Sequence, residues 1–135
     1  MKQTALLVIT DGGRKKFGFE ENDCTVRALA LAGNISYAKA HKIAKDRGRK
    51  DLKAFNSFLL ILEARKQGMN WKLLRNKDGF MLFEGDTIAK FSKTHPKGRY
   101  LLCTRSHAVA VVDGTIYDSF DTRRRRIQGV WKLIK

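Results

Sequence analysis

The chain has 135 residues, 43% of them hydrophobic, with a single proline, two cysteines and a formal net charge of +15 from 28 Lys and Arg against 13 Asp and Glu. That length suits one domain spanning residues 1–135 without a linker, and the composition excludes a disordered or collagen-like chain and a disulfide-dense secreted scaffold. Two cysteines fit a reducing, cytoplasmic setting, the apolar residues 5–9 are too few for a signal-peptide core, and no stretch reaches the length of a membrane span.

Residues 6–10 are apolar and partly β-branched and predict a short strand or extended arm, closed by Asp11-Gly12-Gly13. Residues 14–22 read as a polar loop anchored by Phe17 and Phe19. From Cys24, the positions Val26, Leu29, Ala30 and Gly33 fall at helical spacing, with Asn22 or Asp23 available as cap. Ser36 caps a second helix with Tyr37, Ala40, His41 and Ala44 on one face, stopped at Gly48. Within residues 52–68, Phe55, Phe58, Leu59 and Leu62 form a helical stripe, and Leu60 and Ile61 spread the apolar surface, so this helix is expected to lie deep. Residues 70–74 and 80–83 predict two short strands about a turn at 76–79. Asp86 is placed to cap a short helix over 87–94 that must end before Pro96. Strands are expected at 99–104, 107–112, 115–119 and 130–134, with Asp113-Gly114 as a two-residue hairpin turn. Helices first and sheet second predict an α+β domain, N-terminal helices packed on a C-terminal antiparallel sheet.

The hairpin register carries the functional reading. A two-residue turn sets Val112 opposite Thr115, hence Val109 opposite Asp118 and His107 opposite Phe120. His107 and Asp118 then share a face as diagonal neighbours, a relation in which Cβ atoms lie about 7 Å apart. The carboxylate would fix the imidazole tautomer and stabilise the imidazolium. Asp121 falls on the other face and Asp113 is used by the turn. Cys24 opens a helix, where the positive end of the macrodipole and a nearby imidazolium both lower a thiol pKa. Cys24, His107 and Asp118 are thus the candidate catalytic set, with the Cys24 amide and the Asn22 side chain as candidate oxyanion donors. Cys103 lies in an apolar strand and is expected to pack, His41 packs on its helix, and His95 ends one. No cysteine and histidine pairs have zinc-ligand spacing and no Gly-rich loop opens on Lys-Ser or Lys-Thr, so no metal and no cofactor is expected.

The segments Asn22-Asp23-Cys24-Thr-Val-Arg-Ala-Leu-Ala, His95-Pro-Lys-Gly-Arg-Tyr-Leu-Leu, His107-Ala-Val-Ala-Val-Val-Asp-Gly and Tyr117-Asp118 together resemble small papain-like cysteine peptidase domains, including ones encoded by bacteriophages. The likeness covers residues 22–33 and 86–120. It implies a papain-like fold with Cys24 as nucleophile, His107 as general base and then acid, and Asp118 as the orienting residue. It further implies a peptide or protein substrate and, for a phage protein, action on host proteins in the host cytoplasm. Papain-like enzymes carry an oxyanion glutamine several residues before the cysteine; Gln3 is too remote, so either Asn22 takes that place or the oxyanion hole is incomplete.

The charge points to a second function. A strongly cationic chain is drawn to polyanions, nucleic acid first and acidic proteins or anionic membrane surfaces after it. Arg123, Arg124, Arg125 and Arg126 cannot all face a core and could form a phosphate-binding loop, aided by Lys132, Lys135, Arg14, Lys15 and Lys16, with Trp131 or Tyr117 as a stacking face. No helix-turn-helix or zinc-finger pattern supports base reading. Two readings from different classes therefore stand: a thiol hydrolase cutting a peptide or isopeptide bond, and an inactive papain-fold binding protein that docks its basic surface on nucleic acid or an acidic host protein.

Overall fold

A computed structural model describes residues 5–18 and 20–134. Lys135, Gln3 and the expected anchor Phe19 lie outside them. The domain is α+β, with five helices on a six-stranded sheet among the described residues. The strands are β1 (Leu6–Ile9), β2 (Trp71–Leu73), β3 (Arg99–Thr104), β4 (His107–Val112), β5 (Thr115–Asp118) and β6 (Gly129–Leu133), in the spatial order β1-β5-β4-β3-β6-β2. The sheet is mixed, a correction to the expected antiparallel one: β1 pairs parallel with β5, Leu6 against Thr115 through Ile9 against Asp118, while every other pairing is antiparallel.

The helices are α1 (Arg14–Phe17), α2 (Cys24–Gly33), α3 (Tyr37–Asp46), α4 (Ser57–Lys66) and α5 (Ile88–Thr94). Alternation along β3 and β4 builds two cores. Leu101, Ala108, Ala110 and Trp131 face α2, α3 and α4 on one side, while Tyr100, Leu102, Val109, Val111 and Val130 face α5 on the other. Small side chains explain why α2 lies against β4: Ala28 and Ala32 on the helix and Ala108 and Ala110 on the strand are buried in the same cluster. Eight of the ten α2 residues are buried. The hairpin turn is as expected, because Asp113 (φ 48°) and Gly114 (φ 79°) both adopt the left-handed backbone that a two-residue turn requires, and the register pairs Val112 with Thr115. A side chain at Gly114 would also meet Pro96 Cα at 3.2 Å.

Several local expectations are corrected. Arg14–Phe17 forms a helical turn rather than loop, with the Phe17 ring packed at a tilt against those of Tyr37 and His41. Ser36 caps α3 as expected, through its hydroxyl and the Lys39 N–H, but α4 is capped by Asn56 and α5 by Thr87 instead of Asp86. The buried face of α4 is Leu60, Ile61 and Ala64; Phe58 and Leu59 remain 48% and 39% exposed. With apolar residues all round, its own pattern cannot orient this helix, and the neighbours decide. Residues 80–83 form no strand: β2 takes β6 as its partner, the return segment contributes only a bridge from Arg75 to Met81, and Phe80 is 71% exposed. Among the described residues, no helix is long and apolar enough to cross a membrane.

Candidate active site

Cys24 is delivered by the first turn of α2, and the residue before it is anchored by tertiary bonds rather than serving as a cap. The buried Asp23 carboxylate accepts from Tyr37 Oη at 2.6 Å, Arg27 Nε at 3.0 Å and Arg14 Nη1 at 3.3 Å, and makes no side-chain cap bond. This fixes the start of the helix against α3. His107 is delivered by the first residue of β4, just after a tight turn at Arg105 and Ser106, the latter at φ 61°. Asp118 is delivered by the last residue of β5, whose carbonyl is held by the Thr10 N–H at 2.8 Å.

The three side chains meet. His107 Nε2 donates to Asp118 Oδ2 at 2.7 Å, and the imidazole shares one cleft with Cys24. With Nε2 engaged by the carboxylate, Nδ1 is the ring atom left for sulfur. Asp118 is itself over-determined: it accepts from the Ser119 N–H at 2.7 Å and Thr122 Oγ1 at 3.2 Å, and Arg27 Nη1 stands 3.9 Å away. Arg27 thereby links Asp23 under the helix start to Asp118 under the histidine. The hairpin register anticipated the His107 and Asp118 pair, but not Arg27, Asp23, Ser119 or Thr122. The i,i+4 spacing of Asp23 and Arg27 was the available signal for the first two.

The electrostatics divide the two cysteines. Burial raises the Cys24 thiol, but the hydrogen bond and charge of His107, the Ala108 amide and Arg27 outweigh it, so its pKa lies below the ordinary thiol value. Burial lowers that of His107, but the bonds to Asp118 and Cys24 outweigh it and lift the imidazole to about 9. Both shifts favour thiolate and imidazolium together. Cys103 lines the same cleft, yet burial pushes its thiol up, against a weaker opposing effect from Ser57, whose Oγ is 3.1 Å from its sulfur. The cleft measures about 380 Å³ and is walled by Cys24, Thr25, residues 54–57, Cys103, Thr104, Ser106, His107 and Gln128.

Asn22 does not join this group. It adopts φ 52° and its side-chain amide donates to the Leu52 carbonyl at 3.0 Å, on the exposed surface, so the expected oxyanion role is replaced by a loop tie. The amide of Cys24 lies in the first turn of α2, where backbone N–H groups have no intrahelical acceptor.

The arginine run is pinned rather than free. Arg123 grips Asp121 (Nη2 to Oδ2, 2.7 Å) and reaches the Ala5 carbonyl at 3.4 Å; Arg125 lies over the Phe120 ring at 5.2 Å; Arg126 donates to the Gly85 carbonyl at 3.0 Å. Among the described residues, Arg124 and Arg125 make no side-chain hydrogen bond, and of the two only Arg125 has a ring contact. The suggested stacking faces are also withdrawn, since Trp131 is 2% exposed and Tyr117 packs on the helical core.

The other histidines have structural partners. His95 stacks on Phe91 at 3.8 Å. His41 bonds to Glu20, and Glu20, His41 and Asp51 bring ligand atoms within 4.8 Å of one another. Arg49 already meets both Glu20 oxygens, each at 2.9 Å, and a guanidinium in that position opposes a metal cation. Comparison with protein-family models, curated proteins and solved structures returns no match to this chain, so the fold and the arrangement of Cys24, His107 and Asp118 carry the functional argument.

Proposed function

We propose that the chain is a papain-like thiol hydrolase acting on a peptide or isopeptide bond. The observation that carries the reading is that His107, bonded to Asp118 at 2.7 Å, lines one cleft with Cys24, where the two thiols present are shifted in opposite directions. In this mechanism the Cys24 thiolate attacks the scissile carbonyl carbon. The resulting oxyanion is met by the Cys24 backbone N–H and the positive end of α2. The carbon–nitrogen bond then breaks as His107 gives its proton to the departing amine, leaving a thioester on Cys24. Water, deprotonated by His107, attacks that thioester and releases the acid, and the proton returns to restore the ion pair. Asp118 holds the ring and stabilises its charged form through both steps.

The competing reading, a non-enzymatic binding protein, draws support from the +15 charge and the exposed Arg124. The test is Cys24-dependent cleavage of a mixed peptide digest, with new termini identified by mass spectrometry. Cleavage by the wild-type chain and none by a folded Cys24→Ala variant is the expected result. Equal peptide patterns from the two would overturn the hydrolase reading.

A further inference from the structure

Thr104 and Gln128 wall the thiol cleft on one side and a second groove, of about 340 Å³, on the other. The remaining lining of that groove is Arg105, Arg125 and Arg126, and neither groove is lined by a carboxylate. Arg105 is exposed on the β3–β4 turn, two residues before His107, and among the described residues its guanidinium makes no hydrogen bond or ion pair. Arg126 is oriented by the Gly85 carbonyl and Arg125 by the Phe120 ring. Each guanidinium has five N–H donors, so these anchors leave most of them unused.

We infer that this groove is a specificity subsite for carboxylate side chains, so that the segment of substrate bound beside the scissile bond is rich in Asp or Glu. The inference rests on the hydrolase reading for the word substrate, but the subsite itself stands on the groove. Three cations without an ion-pair partner among the described residues line the groove that adjoins the thiol cleft, and planar guanidinium groups pair with carboxylates in two-point fashion. An acidic peptide fits better than nucleic acid. The groove accommodates one or two side chains, no aromatic ring lines it, and Arg123 is turned onto Asp121, so neither a backbone-tracking cationic channel nor a base-stacking platform is present there.

The test uses the full chain carrying Cys24→Ala, so that binding is read without turnover. Fluorescence anisotropy compares a labelled hexapeptide with four central glutamates, its glutamine counterpart, and a six-nucleotide oligothymidylate. The acidic peptide should bind about ten-fold tighter than the glutamine one, as expected for a gained charge-assisted hydrogen bond. Adding Arg105→Gln, on a turn where the side chain supports nothing else, should remove most of that preference, while Arg124→Gln, outside the groove, should leave it. Equal affinity for the two peptides, or an acidic preference untouched by Arg105→Gln, would overturn the subsite. Tighter binding of the oligothymidylate, lost with Arg105→Gln, would overturn it in favour of nucleic acid. The two readings fail separately. Cys24-dependent cleavage of a peptide digest without acidic residues near the cut sites counts against the subsite alone, and acidic-peptide binding without any cleavage by the wild-type chain counts against the hydrolase alone.

Discussion

Replacing Glu20 by Gln probes the buried clamp that ties the segment before α2 to the segment after α3. The Glu20 carboxylate accepts Arg49 Nη1 and Nη2, each at 2.9 Å, the Leu52 N–H at 2.9 Å, and a bond from His41. Both the Glu20 and the Arg49 side chains are 0% exposed. The Arg49 bonds, with that of Leu52, overcome the opposing effect of burial and hold the Glu20 carboxyl down at about 2, against an ordinary value of 4.5. A displacement of that size corresponds to roughly 3 kcal/mol in favour of the charged form. It matches the scale of about 3–5 kcal/mol for removing one partner of a buried ion pair. Glu20→Gln should therefore cost about 3 kcal/mol, and with a urea slope near 2 kcal/mol/M the unfolding midpoint should fall by about 1.5 M.

Because the folded carboxyl has the lower pKa, its contribution is complete above 4.5 and is lost as pH falls through about 2, so the variant should lack the wild-type loss of stability across that window. Replacing Glu20 and Arg49 together by apolar residues should cost less than Glu20→Gln alone, since no unpaired guanidinium stays buried. A midpoint within a few tenths of a molar of wild type, with the same acid slope, would refute the clamp argument.

Asp118→Ala should reduce turnover by on the order of a hundredfold or more, and Asp118→Asn by less, because an amide oxygen can still accept the His107 Nε2–H; the ratio of kcat values checks this. The raised His107 pKa makes its contribution to stability complete below 6.5 and lost as pH rises through about 9. The melting temperature between those values should therefore fall with pH in wild type more than in His107→Gln. Leu101→Ala, under α2 at the centre of the sheet, should cost about 2–5 kcal/mol in chemical denaturation.

The parts of the site that depend on local rules were legible in the sequence. An Asp-Gly turn sets its own register, and that register placed His107 within reach of Asp118; a polar pair before an apolar helical repeat placed Cys24 at a helix start. What escaped depends on partners far along the chain. Asn22 is turned away by the Leu52 carbonyl, 30 positions later, and Arg123 and Arg126 are pinned by carbonyls of Ala5 and Gly85. The rotation of α4 followed no pattern of its own, since apolar residues surround its axis. The parallel edge made by β1 could not be read from four apolar residues, because an extended segment does not name the strand it will join.

The central claim is that His107 activates Cys24 and not Cys103. The direct measurement is the rate of alkylation of each thiol by iodoacetamide at pH 7, read by mass spectrometry of the intact chain and its peptides. Cys24 should be modified well before Cys103, and His107→Ala should remove the difference. Equal rates at the two cysteines, or preferential labelling of Cys24 that survives His107→Ala, would contradict it.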